Sequence, residues 1–186
     1  MTRGPLCPLG VSAFEADTGP DPYPECPAMT VEQVVSELDA LQTSGAGFAH
    51  LLETAVQRVH EFDTRFHWTG IYELFPDDVL RLGPYIGAPT EHCFIGVGKG
   101  VCGSAVAEKR NMNIPDVSLH VNYLPCSSET KSELVVLIRS NDVIHAQIDI
   151  DSHQRAAFDD DAVTKVQAIA DWLARAYSAR AESAGR

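Results

Sequence analysis

Apolar residues recur at helical spacing in three stretches of the chain. Val31, Val34, Val35, Leu38 and Leu41 share one face, and Phe48, Leu51, Leu52, Ala55, Val56 and Val59 share another, with Gly45 and Gly47 breaking the chain between them. Near the end, Val163, Val166, Ile169, Ala170, Leu173 and Tyr177 form a third stripe, and Asp159, Asp160 and Asp161 suit its N-terminus electrostatically. Between the second and third stripes the period falls to two. Residues 67–74, 80–85 and roughly 90–97 predict three strands, the first two joined by a turn at Pro76, Asp77 and Asp78. Gly98 and Gly100 open a short helix to about Lys109, and a polar loop with Pro115, Asn122 and Pro125 follows. Residues 133–139 and 143–151 predict a hairpin about Ser140, Asn141 and Asp142. In its second arm Ile144, Ala146, Ile148 and Ile150 point one way, and His145, Gln147, Asp149 and Asp151 the other. The order helix, helix, three strands, helix, loop, two strands, helix predicts an α+β domain, an antiparallel sheet flanked by helices.

Composition marks off what surrounds this domain. Residues 1–28 carry Pro5, Pro8, Pro20, Pro22, Pro24 and Pro27 among glycines and are expected to form a flexible tail. The domain is expected over 29–180, with a short C-terminal tail at 181–186. The formal net charge is −12, from 26 acidic and 14 basic residues, which argues against nucleic acid and against anionic membrane surfaces. No apolar run is long enough to span a bilayer, and the first residues contain no secretory apolar segment. A cytoplasmic location is therefore expected. Five cysteines fit poorly with a secreted disulfide framework and better with redox or metal chemistry. Cys7 and Cys26 lie in the tail and read as bystanders.

Cys102 sits in Gly98-Lys99-Gly100-Val101-Cys102-Gly103-Ser104, a glycine-rich approach to a helix N-terminus. There the helix dipole and Lys99 favour a thiolate, although a small buried residue at a tight junction suits the position as well. Cys126 lies in an irregular polar loop, where an accessible thiol is as reasonable as an incidental surface cysteine. Asp149 and Asp151 share a strand face, and Glu133 begins the neighbouring arm, so three acids converge on one patch. If that patch is covered, mutual repulsion raises at least one pKa; a protonated acid then donates to a substrate oxygen while the others hold an ammonium group. Left uncovered, the same acids form an ordinary solvated strand face. His92, Cys93, Cys102, His120 and Cys126 lack the usual local spacing of metal ligands, so no metal is expected.

The stretches HWTGIYEL, LRLGPYIG, VGKGVCGSAVAE, CSSETKSELVVLI and AQIDIDS, followed by FDDD, resemble the free methionine-(R)-sulfoxide reductases, which are stand-alone GAF domains. The resemblance spans about residues 30–178. It implies reduction of free methionine-(R)-sulfoxide by a cysteine that attacks the sulfoxide sulfur, a second cysteine that resolves the sulfenic acid, and thioredoxin as reductant, with no bound cofactor. By position Cys126 resembles the attacking cysteine and Cys102 another of the family's three. Glu133, Asp149 and Asp151 match the acids around the substrate, and Trp68 and Tyr72 the aromatics that pack its methyl and chain. Counting back from Cys102, the family's first cysteine falls on His92. Cys93 is one residue late, and a one-residue shift in a strand turns a side chain to the other face. Cys93 is therefore expected to face away and be dispensable, leaving Cys102 to resolve Cys126. Gly96 also replaces a proline usual there. The alternative function is a non-catalytic GAF sensory module that binds a small metabolite. A homodimer is compatible with either.

Overall fold

The computed structural model of the protein describes residues 29–124 and 128–184. The expected tail at 1–28 and Cys126 lie outside the described residues. Helix α1 (Val31–Thr43) begins with a capping box, in which the Thr30 side chain accepts from the Gln33 N–H and the Gln33 side chain accepts from the Thr30 N–H. Helix α2 (Phe48–His60) follows the glycine break and buries the predicted stripe from Leu51 to Val59. Strands β1 (Trp68–Phe75), β2 (Val79–Ile86) and β3 (Phe94–Gly96) precede helix α3 (Gly100–Glu108). Strand β4 (Met112–Ile114) and a 3-10 turn (Val117–Leu119) lead to the hairpin of β5 (Ser132–Ser140) and β6 (Val143–Ser152), and α4 (Asp160–Ala184) comes last.

All six strands join one antiparallel sheet in the order β3-β2-β1-β6-β5-β4. The third predicted strand is shorter than expected, and β4 replaces part of the predicted polar loop. Strand alternation divides the interior into two cores. Ile71, Leu134, Val136, Ile138, Ile148 and Ile150 pack on α1, α2 and α4 on one face. Trp68, Tyr72, Val135 and Leu137 pack with Val101, Cys102 and Ala105 of α3 on the other. The three outer helices thus stabilise the sheet from one side, while α3 covers the side that carries the acids. No helix among the described residues is long and apolar enough to cross a membrane.

Candidate functional site

The central strands bring the acids together through register. Trp68 of β1 pairs with Asp151 of β6, and Asp151 pairs with Glu133 of β5. One step along, Gly70 pairs with Asp149, and Asp149 with Val135. Directly paired residues share a sheet face, so Glu133, Asp149 and Asp151 all point toward α3. Their fractional exposures are 3%, 1% and 3%, so the patch is an interior one rather than a solvated strand face. Gly98 and Gly100, at φ +83° and +64°, bend the backbone so that α3 begins over this patch. A Cβ on Gly103 would collide with the Gly96 carbonyl, so the missing side chain lets α3 approach β3. Cys102, in the first turn, donates its S–H to Glu133 Oε1 at 3.8 Å. Ligand atoms of Cys102, Glu133 and Asp149 lie within 4.8 Å of one another.

Burial sets the electrostatics. It pushes the Glu133 carboxyl well above the usual range, and the charges of Asp149 and Asp151 push it further. Burial, reinforced by Asp149, likewise raises Asp151. Asp149 is pushed up to about 7, chiefly by burial. No arginine or lysine among the described residues forms an ion pair with any of the three. Near neutral pH the cluster therefore holds both protons and negative charge, which equips it to donate a proton to an oxygen and to accept from an ammonium group.

The aromatic wall stands beside the acids. The Trp68 ring stacks on Tyr85 with centroids 5.4 Å apart and faces Tyr72 at 6.2 Å. Trp68 Nε1 donates to the Ala88 carbonyl at 3.1 Å, and the Tyr72 hydroxyl donates to the His92 carbonyl at 2.9 Å. Gly70 makes room for this stack, since a Cβ there would overlap the Trp68 ring and meet Tyr85 Cβ at 3.0 Å. Gly70→Ala is thus expected to displace Trp68 and destabilise the fold by about 1–3 kcal/mol, measurable by thermal denaturation and by a shift in tryptophan fluorescence.

A cavity of about 120 Å³ opens at this end of the sheet, lined by Trp68, Asp151, Thr130, Thr90, His67 and His153, among others. Of the expected site residues, Trp68 and Asp151 line it; Tyr72, Glu133 and Asp149 continue the same face deeper in. Thr130, His67 and His153 were not singled out from sequence. Thr130 and His153 lie beyond strand ends, where periodicity carries no signal, and only the register sets the His67 and His153 imidazoles face to face at 4.0 Å. A larger open depression of about 590 Å³ between Arg139 and α4 contains no cysteine and no buried acid.

Two cysteines, Cys93 and Cys102, lie among the described residues. Cys93, expected to turn away and be dispensable, is disulfide-bonded. Among the described residues, Cys102 is the cysteine without a disulfide, buried against Glu133. The expectation rested on strand alternation, but β3 begins only at Phe94. Cys93 closes the irregular segment before it, so no strand parity governs its side chain.

The GAF domain family matches residues 47–177. The chain belongs to this family. Within it, the chain is 33% identical over 126 residues to the free methionine-R-sulfoxide reductase of Escherichia coli, covering 67% of this chain and 74% of that one. The structure of the type II free methionine-R-sulfoxide reductase of Thermoplasma acidophilum is similar at TM-score 0.66 and 33% identity, over 69% of this GAF protein and 90% of that chain. That of the Neisseria meningitidis free methionine-R-sulfoxide reductase, solved with its substrate, is similar at TM-score 0.73 and 25% identity, over 82% of this chain and 91% of that one. The antiparallel six-stranded sheet is thus the GAF fold, as the sequence motifs imply.

Proposed function

We propose that this GAF protein reduces free methionine-(R)-sulfoxide to methionine. The observation that carries the reading is the buried convergence of Glu133, Asp149 and Asp151 beside an aromatic wall and a thiol. Similarity to reductases of that substrate supports it. In this reading Trp68 and Tyr72 pack the apolar end of the substrate. Asp151, on the cavity wall, accepts from the α-ammonium group, and the negative charge of the neighbouring Asp149 is neutralised by that same group. Glu133, held protonated by burial and by its acidic neighbours, gives its proton to the sulfoxide oxygen. The Cys126 thiolate attacks the sulfoxide sulfur and forms an S–S bond; as the protonated oxygen shifts to the cysteine, the S–O and S–S bonds to the substrate break, leaving a sulfenic acid and free methionine. A second thiol then forms a disulfide and releases that oxygen as water. We assign the second thiol to Cys93 rather than Cys102, because Cys93 is the one that carries a disulfide. Cys102 keeps a positioning role against Glu133. A dithiol protein such as thioredoxin supplies two electrons to reopen the disulfide, and no bound cofactor enters.

The test is incubation of the reduced protein with free methionine-(R)-sulfoxide, thioredoxin and its reductase, with chiral analysis of the product. Formation of methionine from the R epimer alone is expected. No turnover, with substrate still bound, would instead favour a sensory module. Free sulfoxide is also expected to be preferred over the same residue within a peptide, because only the free amino acid carries the ammonium group that Asp151 accepts from. A charge-assisted hydrogen bond contributes roughly 1.5–3 kcal/mol, or about tenfold or more in kcat/KM. Competition between the two substrates measures it, and Asp151→Asn should erase most of the difference.

A further inference from the structure

We infer that Cys102, Glu133 and Asp149 form a binding site for a thiophilic divalent cation of the zinc and cadmium kind, and that such an ion closes the pocket to substrate. Three observations converge on the site. One thiol sulfur and two carboxylate oxygens from separate elements, α3, β5 and β6, lie within 4.8 Å of one another, and all three residues are buried. Asp149 Oδ1 is buried without a hydrogen-bond partner, so this oxygen has lost its hydration, while the rest of the carboxylate bonds to Cys102 and Glu133. The Cys102 sulfur and Glu133 Oε1 are 3.8 Å apart, close to the separation of about 3.5 Å between a sulfur and an oxygen ligand on one tetrahedral zinc ion. A mixed sulfur and oxygen set suits zinc or cadmium better than magnesium or calcium, which take oxygen alone. Helix and strand backbones hold the donors, so a small inward movement of side chains completes the site. Local ligand spacing gives no hint of it, since Cys102 lies 31 residues before Glu133 and Asp149 lies on the next strand.

Coordination replaces the Cys102 S–H bond with a sulfur–metal bond, displaces the proton held on Glu133, and releases both protons to solvent. The ion is not a cofactor here. It occupies Glu133 and Asp149, the acids that the reaction needs free, so it acts as an inhibitor competing with substrate. That competition rests on the reductase reading; the binding does not.

The test uses the full chain with its disulfide intact, so that Cys93 supplies no thiolate, after removal of metals with EDTA. Titration with Cd2+ alone is followed by the ultraviolet sulfur-to-cadmium charge-transfer band, and Zn2+ binding by calorimetry. One ion per chain is expected, with the band preserved in a Cys7→Ser/Cys26→Ser variant and lost in Cys102→Ser. Asp149→Asn should weaken Zn2+ binding at least about tenfold, and it carries the test if Cys102→Ser fails to fold. A band that persists in a folded Cys102→Ser protein, or Zn2+ affinity unchanged in Asp149→Asn, would overturn the site. In the reductase assay Zn2+ should raise KM for free methionine-(R)-sulfoxide and EDTA should reverse it; a fall in kcat with KM unchanged would overturn the competition. Cadmium bound at Cys102 in a chain that never reduces the sulfoxide would sink the reductase reading and leave the metal site standing. Full reductase activity in EDTA with no cadmium bound would do the reverse.

Discussion

Cys126→Ser is expected to abolish reduction of free methionine-(R)-sulfoxide, whereas Cys93→Ser should release one methionine per chain and then stall. The two cysteines act at different points of the cycle. Without the attacking thiol no oxygen is transferred. Without the resolving thiol, transfer still occurs once, and the sulfenic acid has no internal partner. Single-turnover analysis separates the two outcomes: a stoichiometric burst in Cys93→Ser, with steady-state turnover under thioredoxin recycling reduced by at least about a hundredfold, and no burst in Cys126→Ser. Cys102→Ser alters the S–H···O contacts to Glu133 and Asp149 but leaves Cys93 and Cys126 in place. It should therefore slow the burst while still permitting the disulfide to Cys93. Mass spectrometry after one turnover checks the pairing, and a Cys102 disulfide in the unmodified protein would reject the assignment of Cys93.

The same cysteines show where sequence reasoning reached its limit. Alternation along 143–151 places Asp149 and Asp151 on one face, and the hairpin turn places Glu133 beside them, because a two-residue period and a short turn are local properties. Trp68 and Tyr72 share a face for the same reason. That β1 lies between β2 and β6 is not local. The pairing of Trp68 with Asp151, which sets the aromatic wall against the acids, joins segments 83 residues apart in sequence and follows from packing. Strand β4 was hidden because only Met112 and Ile114 alternate with Asn111 and Asn113. Its place is fixed by an edge pairing with β5 and by the Asn111 side chain, which accepts from the Leu137 N–H at 2.9 Å. For Cys93 alternation carries no information, because it precedes the strand that begins at Phe94.

Asp149→Asn is expected to make the protein more stable at pH 8 than its parent while removing most of its activity. A carboxyl whose folded-state pKa lies above its unfolded value contributes stability that is complete below the unfolded pKa and is lost as pH rises through the folded one. Asp149 moves from an ordinary 3.8 to about 7 on folding. Between those pH values its burial costs the fold roughly 4 kcal/mol, and Glu133 and Asp151, also raised by burial, extend the loss to higher pH. Asparagine is neutral throughout, so the variant escapes that loss. Near pH 4 the two proteins should melt at similar temperatures, and the gap should open as pH rises to 8. For a domain of this size each kcal/mol shifts the melting temperature by about 2–4 °C, so a difference of several degrees is expected at pH 8. Thermal denaturation from pH 4 to 8 measures it, and equal melting temperatures at pH 8 would show that Asp149 stays protonated or is solvated there. Activity should move the opposite way, because the charge that destabilises the empty pocket is what the substrate's ammonium group neutralises. Free methionine, as product, should accordingly stabilise the parent more at pH 8 than at pH 5, and should stabilise Asp149→Asn far less at either pH.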